Sequence, residues 1–419
     1  MNLILWMIHC NKFSLDNGLR VVLHQDKSSP LVAVNLLYDV GSKDEDPEHT
    51  GFAHLFEHLM FSGSKHIPDF DTPIQMAGGE NNAYTNADIT NYYNIVPANN
   101  LETVLWLESD RMKDLAFNEK GLAIQKKVVL EEFNETCLNQ PYGDVWHHIS
   151  ALSYQEHPYN WPTIGKVPEH IDQINMQEVR SFYNKFYAPS NAILVLAGNI
   201  EYADVIGLVH KWFGDIAPGV KPERKLKQEP KQTQQRYQVV GSDVSATALY
   251  MSYHMCARNH PDFYASDLLS DILSNGRSSR FFQKLYKKEK IFSYVDAYIT
   301  AYLDPGLFVI DSKLLEDTDV NIAIEKIKDQ LEDIKQNGIT IEELEKVKNK
   351  NISSLHYSEV SILNKAINLA YYELLGNAEL INQQESFYIN TTSEEIQALA
   401  NKMFQEDNCS ILVYGPKDA

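Results

Sequence analysis

Hydrophobic and polar positions change period several times along this chain, and the changes mark its elements. Residues 12–25 read as two strands around Asp16-Asn17-Gly18, a hairpin signal, and residues 31–40 as a third strand before the Gly41-Ser42 turn. Residues 51–61 are apolar nearly all round, the pattern of a buried helix, and stop at Gly63. The pattern then predicts a short helix over 72–77, strands over 81–85 and 90–96, and helices over 101–113 and 118–136. Residues 147–165 read as loop and helix, followed by a helix over 176–186, an apolar strand over 192–198 and a helix over 202–213.

The polar, basic, proline-bearing stretch from Ala217 to Pro230 reads as a linker. Beyond it come strands over 236–240, 247–254, 292–300 and 306–312, and helices over 262–273, 278–288, 320–336, 340–355 and 361–375. The two halves end alike. Glu178-Val179 through Asn184-Lys185-Phe186 matches Glu395-Ile396 through Asn401-Lys402-Met403 at an offset of 217 residues, and each helix leads into an apolar strand closed by Gly198 or Gly415. This predicts a duplicated domain, with an N-terminal copy over 1–216, a linker over 217–235 and a C-terminal copy over 236–419.

Composition narrows the function. A 44% apolar fraction over 419 residues supports more than one core, and 57 Asp+Glu against 37 Lys+Arg, net −20, argues against nucleic acid as a partner. Cys10, Cys137, Cys256 and Cys409 show no CxxC spacing, which fits a reducing compartment. The apolar opening over residues 1–10 has no basic region and no cleavage site, so it reads as an extension or first strand; no run is long enough to span a membrane. The expected location is cytoplasmic, with the periplasm left open.

The chemistry concentrates in His54-Leu55-Phe56-Glu57-His58. Residues four apart share a helix face, so His54 and His58 can turn imidazole nitrogens onto one metal ion. Glu57 sits about 60° from His54 and about 100° from His58 around the helix, within reach of a water at the metal without being a ligand. HxxEH is the inverted form of the HExxH zinc-peptidase pattern. A catalytic zinc site needs a third protein ligand, and the helix over 118–136 offers Glu131, Glu132 and Glu135. Glu132 lies beside the apolar stripe Val128, Val129 and Phe133; Glu131 and Glu135 fit a solvated face better. The adjacent His147 and His148 point apart on a helix and make poor joint ligands.

Together these features resemble the M16 family of zinc metallopeptidases, which includes pitrilysin, insulin-degrading enzyme and mitochondrial processing peptidase, and within it the short subunits. The likeness is carried by residues 51–61, by Gly78-Gly79-Glu80-Asn81-Asn82-Ala83-Tyr84-Thr85, by Val128-Val129-Leu130-Glu131-Glu132 and by Gly276-Arg277-Ser278-Ser279-Arg280. It implies an α+β fold of two homologous domains, each a mainly antiparallel sheet packed with helices, the LuxS/MPP-like metallohydrolase fold. It also implies one Zn2+ per chain held by His54, His58 and Glu132, which follows His58 by 74 residues, with Glu57 as general base. Asn82, Ala83 and Tyr84 would lie on an edge strand that takes a short or unfolded peptide as an added strand.

Three positions depart from the family pattern. Gln125 stands where a second glutamate is usual, and Tyr286 and Ser293 stand where active relatives carry an Arg and a Tyr; Tyr294 could serve as oxyanion or substrate contact after a shift of one. The resemblance therefore implies a zinc endopeptidase acting as the metal-bearing subunit of a dimeric chamber, with a second M16-like subunit or a second copy as partner. The rival reading is a structural M16-like subunit without catalysis.

Overall fold

Asn17-Gly18 turns the first two strands as expected: β1 (Asn11–Ser14) pairs antiparallel with β2 (Arg20–Gln25), and Gly18 takes φ +86°, a conformation that favours glycine. The computed structural model describes residues 7–417; the expected extension or strand over residues 1–10 lies largely outside them, and residues 7–10 form no regular element. β3 (Leu31–Tyr38), β4 (Glu80–Thr85), β5 (Thr90–Pro97) and β6 (Ala192–Gly198) complete a six-stranded sheet in the order β1-β2-β6-β3-β5-β4. β6 is buried along its whole length, which explains its unbroken apolar sequence: it lies between β2 and β3 with both faces covered. β1 and β4 are the two edges, and among the described residues β4 pairs only with β5.

The second sheet repeats this plan. β7 (Arg236–Ser242), β8 (Ala248–His254), β9 (Phe292–Ile299), β10 (Leu307–Leu314) and β11 (Cys409–Pro416) run in the order β7-β11-β8-β10-β9. With β1 standing outside the repeat, β6 pairs parallel with β2 and antiparallel with β3 as β11 does with β7 and β8, and the next two pairings in each sheet are antiparallel. The expected α+β architecture of two like domains is thus the observed one. The edges also correspond: Asn82-Ala83-Tyr84 on β4 matches Asp296-Ala297-Tyr298 on β9. In each, the Asx side chain accepts the N–H of the following alanine, at 2.8 and 2.9 Å.

The compact units are less simple than two contiguous halves. The first comprises residues up to Phe133, Pro162–Leu226 and Leu355–Gln384; the second comprises Asn134–Trp161, Lys227–Ser354 and Glu385 onward. The helix Val145–Ser153 therefore belongs with the second sheet, where Ser153 bonds Ser252 at 2.8 Å. Conversely, the helix Ile362–Leu374 covers the first sheet. Its Ile362, Ala366, Leu369 and Ala370 form a stripe at helical spacing against Val22, Ala33, Leu37, Ile193, Val195 and Ala197. The linker is anchored at both ends. Arg224 ion-pairs with Asp39 and Asp44 in the first unit, and Glu229 accepts the N–H groups of Gln155, Glu156 and His157 in the second.

The helices otherwise fall close to the expected places, except that the one expected over 278–288 is a π-helix, Phe282–Glu289. Among the described residues no helix is long and apolar enough to cross a membrane.

Lys365 fixes the helix Ile362–Leu374 through a 2.6 Å ion pair with Asp26 at the end of β2. Burial alone would raise the Asp26 carboxyl, but bonds from Lys365 and Ser28 outweigh it and hold the group well below the usual range. That stabilisation is complete above the ordinary Asp range and is lost as pH falls toward the depressed value. Lys365→Met is expected to lower stability by about 1–3 kcal/mol at neutral pH and to flatten the loss of stability below about pH 4, read from urea midpoints across pH.

Candidate active site

The helix that bears the histidines, α1 (Phe52–Leu59), begins after Gly51, which has φ +89°. Its first N–H groups are taken by a carboxylate from outside the helix: buried Glu45 accepts from Gly51 N at 2.9 Å and from Ala53 N at 2.8 Å. A negative group at a helix N-terminus also meets the positive end of the macrodipole. Phe52, Ala53, Leu55, Phe56 and Leu59 are buried, and the Phe56 ring packs on Phe182, Tyr183 and Tyr187. This leaves His54, Glu57 and His58 on the less buried arc of the helix.

That arc meets α2 (Glu119–Phe133), whose Val129 and Phe133 are buried. Val128 is 43% exposed, so it stands outside the stripe to which the sequence pattern assigned it; the helix turns one position further than that stripe implies. Glu132 comes inward. Its Oε2 lies 3.7 Å from His54 Nε2 and 3.5 Å from His58 Nε2, and the two Nε2 atoms are 3.3 Å apart. Among the described residues this is the one group of three or more His, Cys, Asp or Glu set to hold a metal ion. Glu131 and Glu135 are exposed, and His148 instead contacts Asp144 and Gln238.

The donor set suits a divalent cation. Burial drives the His54 imidazole down to about 4, against the pull of Glu132, so at neutral pH it carries a lone pair and no charge. Glu132 is held below its usual range, first by its bond to His58, and is ionised. Two imidazole nitrogens and a carboxylate oxygen, all within 3.7 Å of one another, bring three ligand atoms onto one point that a cation can share. Ligands about 2.0–2.1 Å from zinc at the corners of a tetrahedron stand about 3.3–3.4 Å from one another, close to the separations found. His54 Nδ1 is buried with no hydrogen-bond partner, so packing sets this ring.

Glu57 is raised above its ordinary value by burial, opposed by a bond in which Thr85 Oγ donates to Glu57 Oε2 at 2.6 Å. Thr85 ends β4, an edge strand that also carries Asn82, Ala83 and Tyr84. Gln125 donates from Nε2 to Ser62 Oγ at 3.0 Å, tying α2 to the turn after α1. Tyr294 belongs to the second unit; it is 43% exposed on β9 and its hydroxyl contacts Asp296 at 3.3 Å. Tyr286 stacks on Phe282, and Ser293 donates to the Lys313 carbonyl. Sequence pattern did not single out Glu45 or Thr85. Strand alternation puts Thr85 on the face opposite Tyr84, but says nothing of which helix lies over that face.

The chain is similar to M16 peptidases over most of its length. Residues 20–166 match the family model described as Insulinase (Peptidase family M16), and residues 173–351 match Peptidase M16 inactive domain. The Helicobacter pylori zinc protease PqqE is 27% identical over 410 residues, covering 96% of this chain and 92% of that protein. The probable mitochondrial-processing peptidase subunit beta of Arabidopsis thaliana is 23% identical, covering 96% and 78%. The crystal structure of a protease from Helicobacter pylori superposes with a TM-score of 0.92 at 26% identity, over 98% of this chain and all of that one.

Removing the carboxylate that caps α1 leaves two buried N–H groups without an acceptor. Glu45→Ala is expected to cost about 1–3 kcal/mol in chemical denaturation.

Proposed function

The chain belongs to the M16 family of peptidases, of the short type, and from that premise we propose that it is a zinc-dependent endopeptidase acting on short or unfolded peptides. The observation that carries this reading is the convergence of His54, His58 and Glu132 on one point with Glu57 beside them, on a helix otherwise buried. A scaffold has no physical need to bury ionisable groups there.

His54, His58 and Glu132 would hold the ion, one per chain. Zinc in such a site supplies Lewis acidity, drawing down the pKa of a water and polarising a carbonyl. Glu57 accepts the proton of the attacking water and passes it to the departing amine. The open edge of β4 receives the substrate as an added strand, so main-chain hydrogen bonds supply affinity and side-chain pockets supply preference. The Ala83 N–H, which Asn82 Oδ1 engages, becomes available to a peptide carbonyl when the Asn82 side chain turns away.

The chain would work as the metal-bearing subunit of a pair, with a related M16 chain or a second copy as partner. The subunit name of the Arabidopsis relative supports this reading, as do Tyr286 and Ser293 standing where active relatives carry Arg and Tyr. The description of the second-half match as an inactive domain is compatible with a single metal site, in the first half.

The test is cleavage of a quenched, unstructured peptide library by the zinc-loaded chain. Glu57→Gln should keep the zinc and lose about a hundredfold or more in rate. His54→Ala and Glu132→Gln should lose zinc itself, measured by metal analysis after dialysis. A protein that binds zinc and cleaves nothing, alone or with an M16-like partner, would point to the structural-subunit reading. A protein that binds no zinc would overturn the site.

A further inference from the structure

The proposed base is held by the strand that offers the substrate edge. Thr85 Oγ donates to Glu57 Oε2 at 2.6 Å, the short distance of a hydroxyl bonded to a carboxylate. Both side chains are half-buried, so water competes weakly for the bond. Thr85 is the last residue of β4, two positions beyond Ala83, so strand alternation puts both on one face. In register it faces Thr90, whose own hydroxyl is spent on the Val40 carbonyl, so Thr90 cannot take its place.

We infer that Thr85 is a positioning residue for the base: it fixes the Glu57 carboxylate through Oε2, leaves Oε1 to receive the proton, and ties the base to the strand on which a peptide is laid. The inference rests on the peptidase reading of the site. The bond holds through the proton transfer, because Glu57 protonated at Oε1 still presents Oε2 as a carbonyl acceptor and the threonine hydroxyl still donates. A carboxylate with three rotatable bonds and no such partner samples several orientations, and a displacement of the order of 1 Å at a reacting group is enough to cost about a hundredfold. The coupling to substrate is geometric: a peptide in register with β4 is also in register with the residue that sets the base.

Thr85→Val keeps the branched shape that a strand favours and removes only the hydroxyl; Thr85→Ser returns it. In the zinc-loaded protein, Thr85→Val is expected to lower kcat by about tenfold to a hundredfold, with KM within about twofold of the parent and zinc content unchanged, and Thr85→Ser to restore most of kcat. A Thr85→Val protein with full kcat overturns the inference, as does a loss that serine fails to rescue. A second readout needs no turnover: the carboxyl carbon resonance of Glu57 in protein labelled at glutamate, assigned by its disappearance in Glu57→Gln. It should move in Thr85→Val and return in Thr85→Ser; a resonance indifferent to both overturns the positioning role. If the parent protein cleaves no peptide, the peptidase reading fails while this resonance still decides whether Thr85 holds Glu57.

Discussion

The burial of α1 is the constraint on which the site depends. Phe52, Ala53, Leu55, Phe56 and Leu59 leave water, and each large side chain buried this way contributes about 1.5–3 kcal/mol, more than a typical hydrogen bond. Packing therefore decides where the helix lies and how it is rotated. Polar contacts refine that placement: Glu45 at its first turn, and Ser62 with Gln125 just past its end. With the aromatic cluster around Phe56 fixing one side, His54, Glu57 and His58 have one arc left, and it faces Glu132 and Thr85. Ionisable groups partly removed from water there need partners, and these residues find them in one another.

The duplication shows how the same position in a fold is spent two ways. Between the second and third strands of the repeat, the first copy inserts α1 and the second inserts the helix Phe263–Ser274. Both are largely buried. In the second, the polar residues are satisfied one by one: Ser266 and Ser270 bond back to the carbonyls of Asp262 and Asp267, Tyr388 donates to Asp267, and Asn351 donates to Asp271 at 2.6 Å. Nothing in that helix converges on a point. The first copy instead brings three ligand atoms together on a shared centre, the one such group among the described residues.

Each unit draws segments from both halves of the chain. The stripe of Ile362, Ala366, Leu369 and Ala370 says that a helix must be covered and cannot say by which sheet, because helical spacing carries no information about the partner face. Complementary packing against Val22, Ala33, Val195 and their neighbours resolves it, together with the Lys365–Asp26 pair. The same indeterminacy explains why the sequence pattern did not assign residues 134–161 and 355–384 to their units.

By itself, the sequence determined the elements, the repeat, and the spacing that puts two imidazoles and a glutamate on one helix, since all three follow from local periodicity and from residue types four positions apart. It also singled out Glu132, through its place beside an apolar stripe and through family spacing. Tertiary structure decided the rest. It put Val128 outside that stripe, carried one helix of the second half onto the first sheet, and brought Glu45 and Thr85, six and 28 residues from their partners, onto α1. Those contacts depend on how strands and helices meet across a shared core, and no period along the chain encodes that.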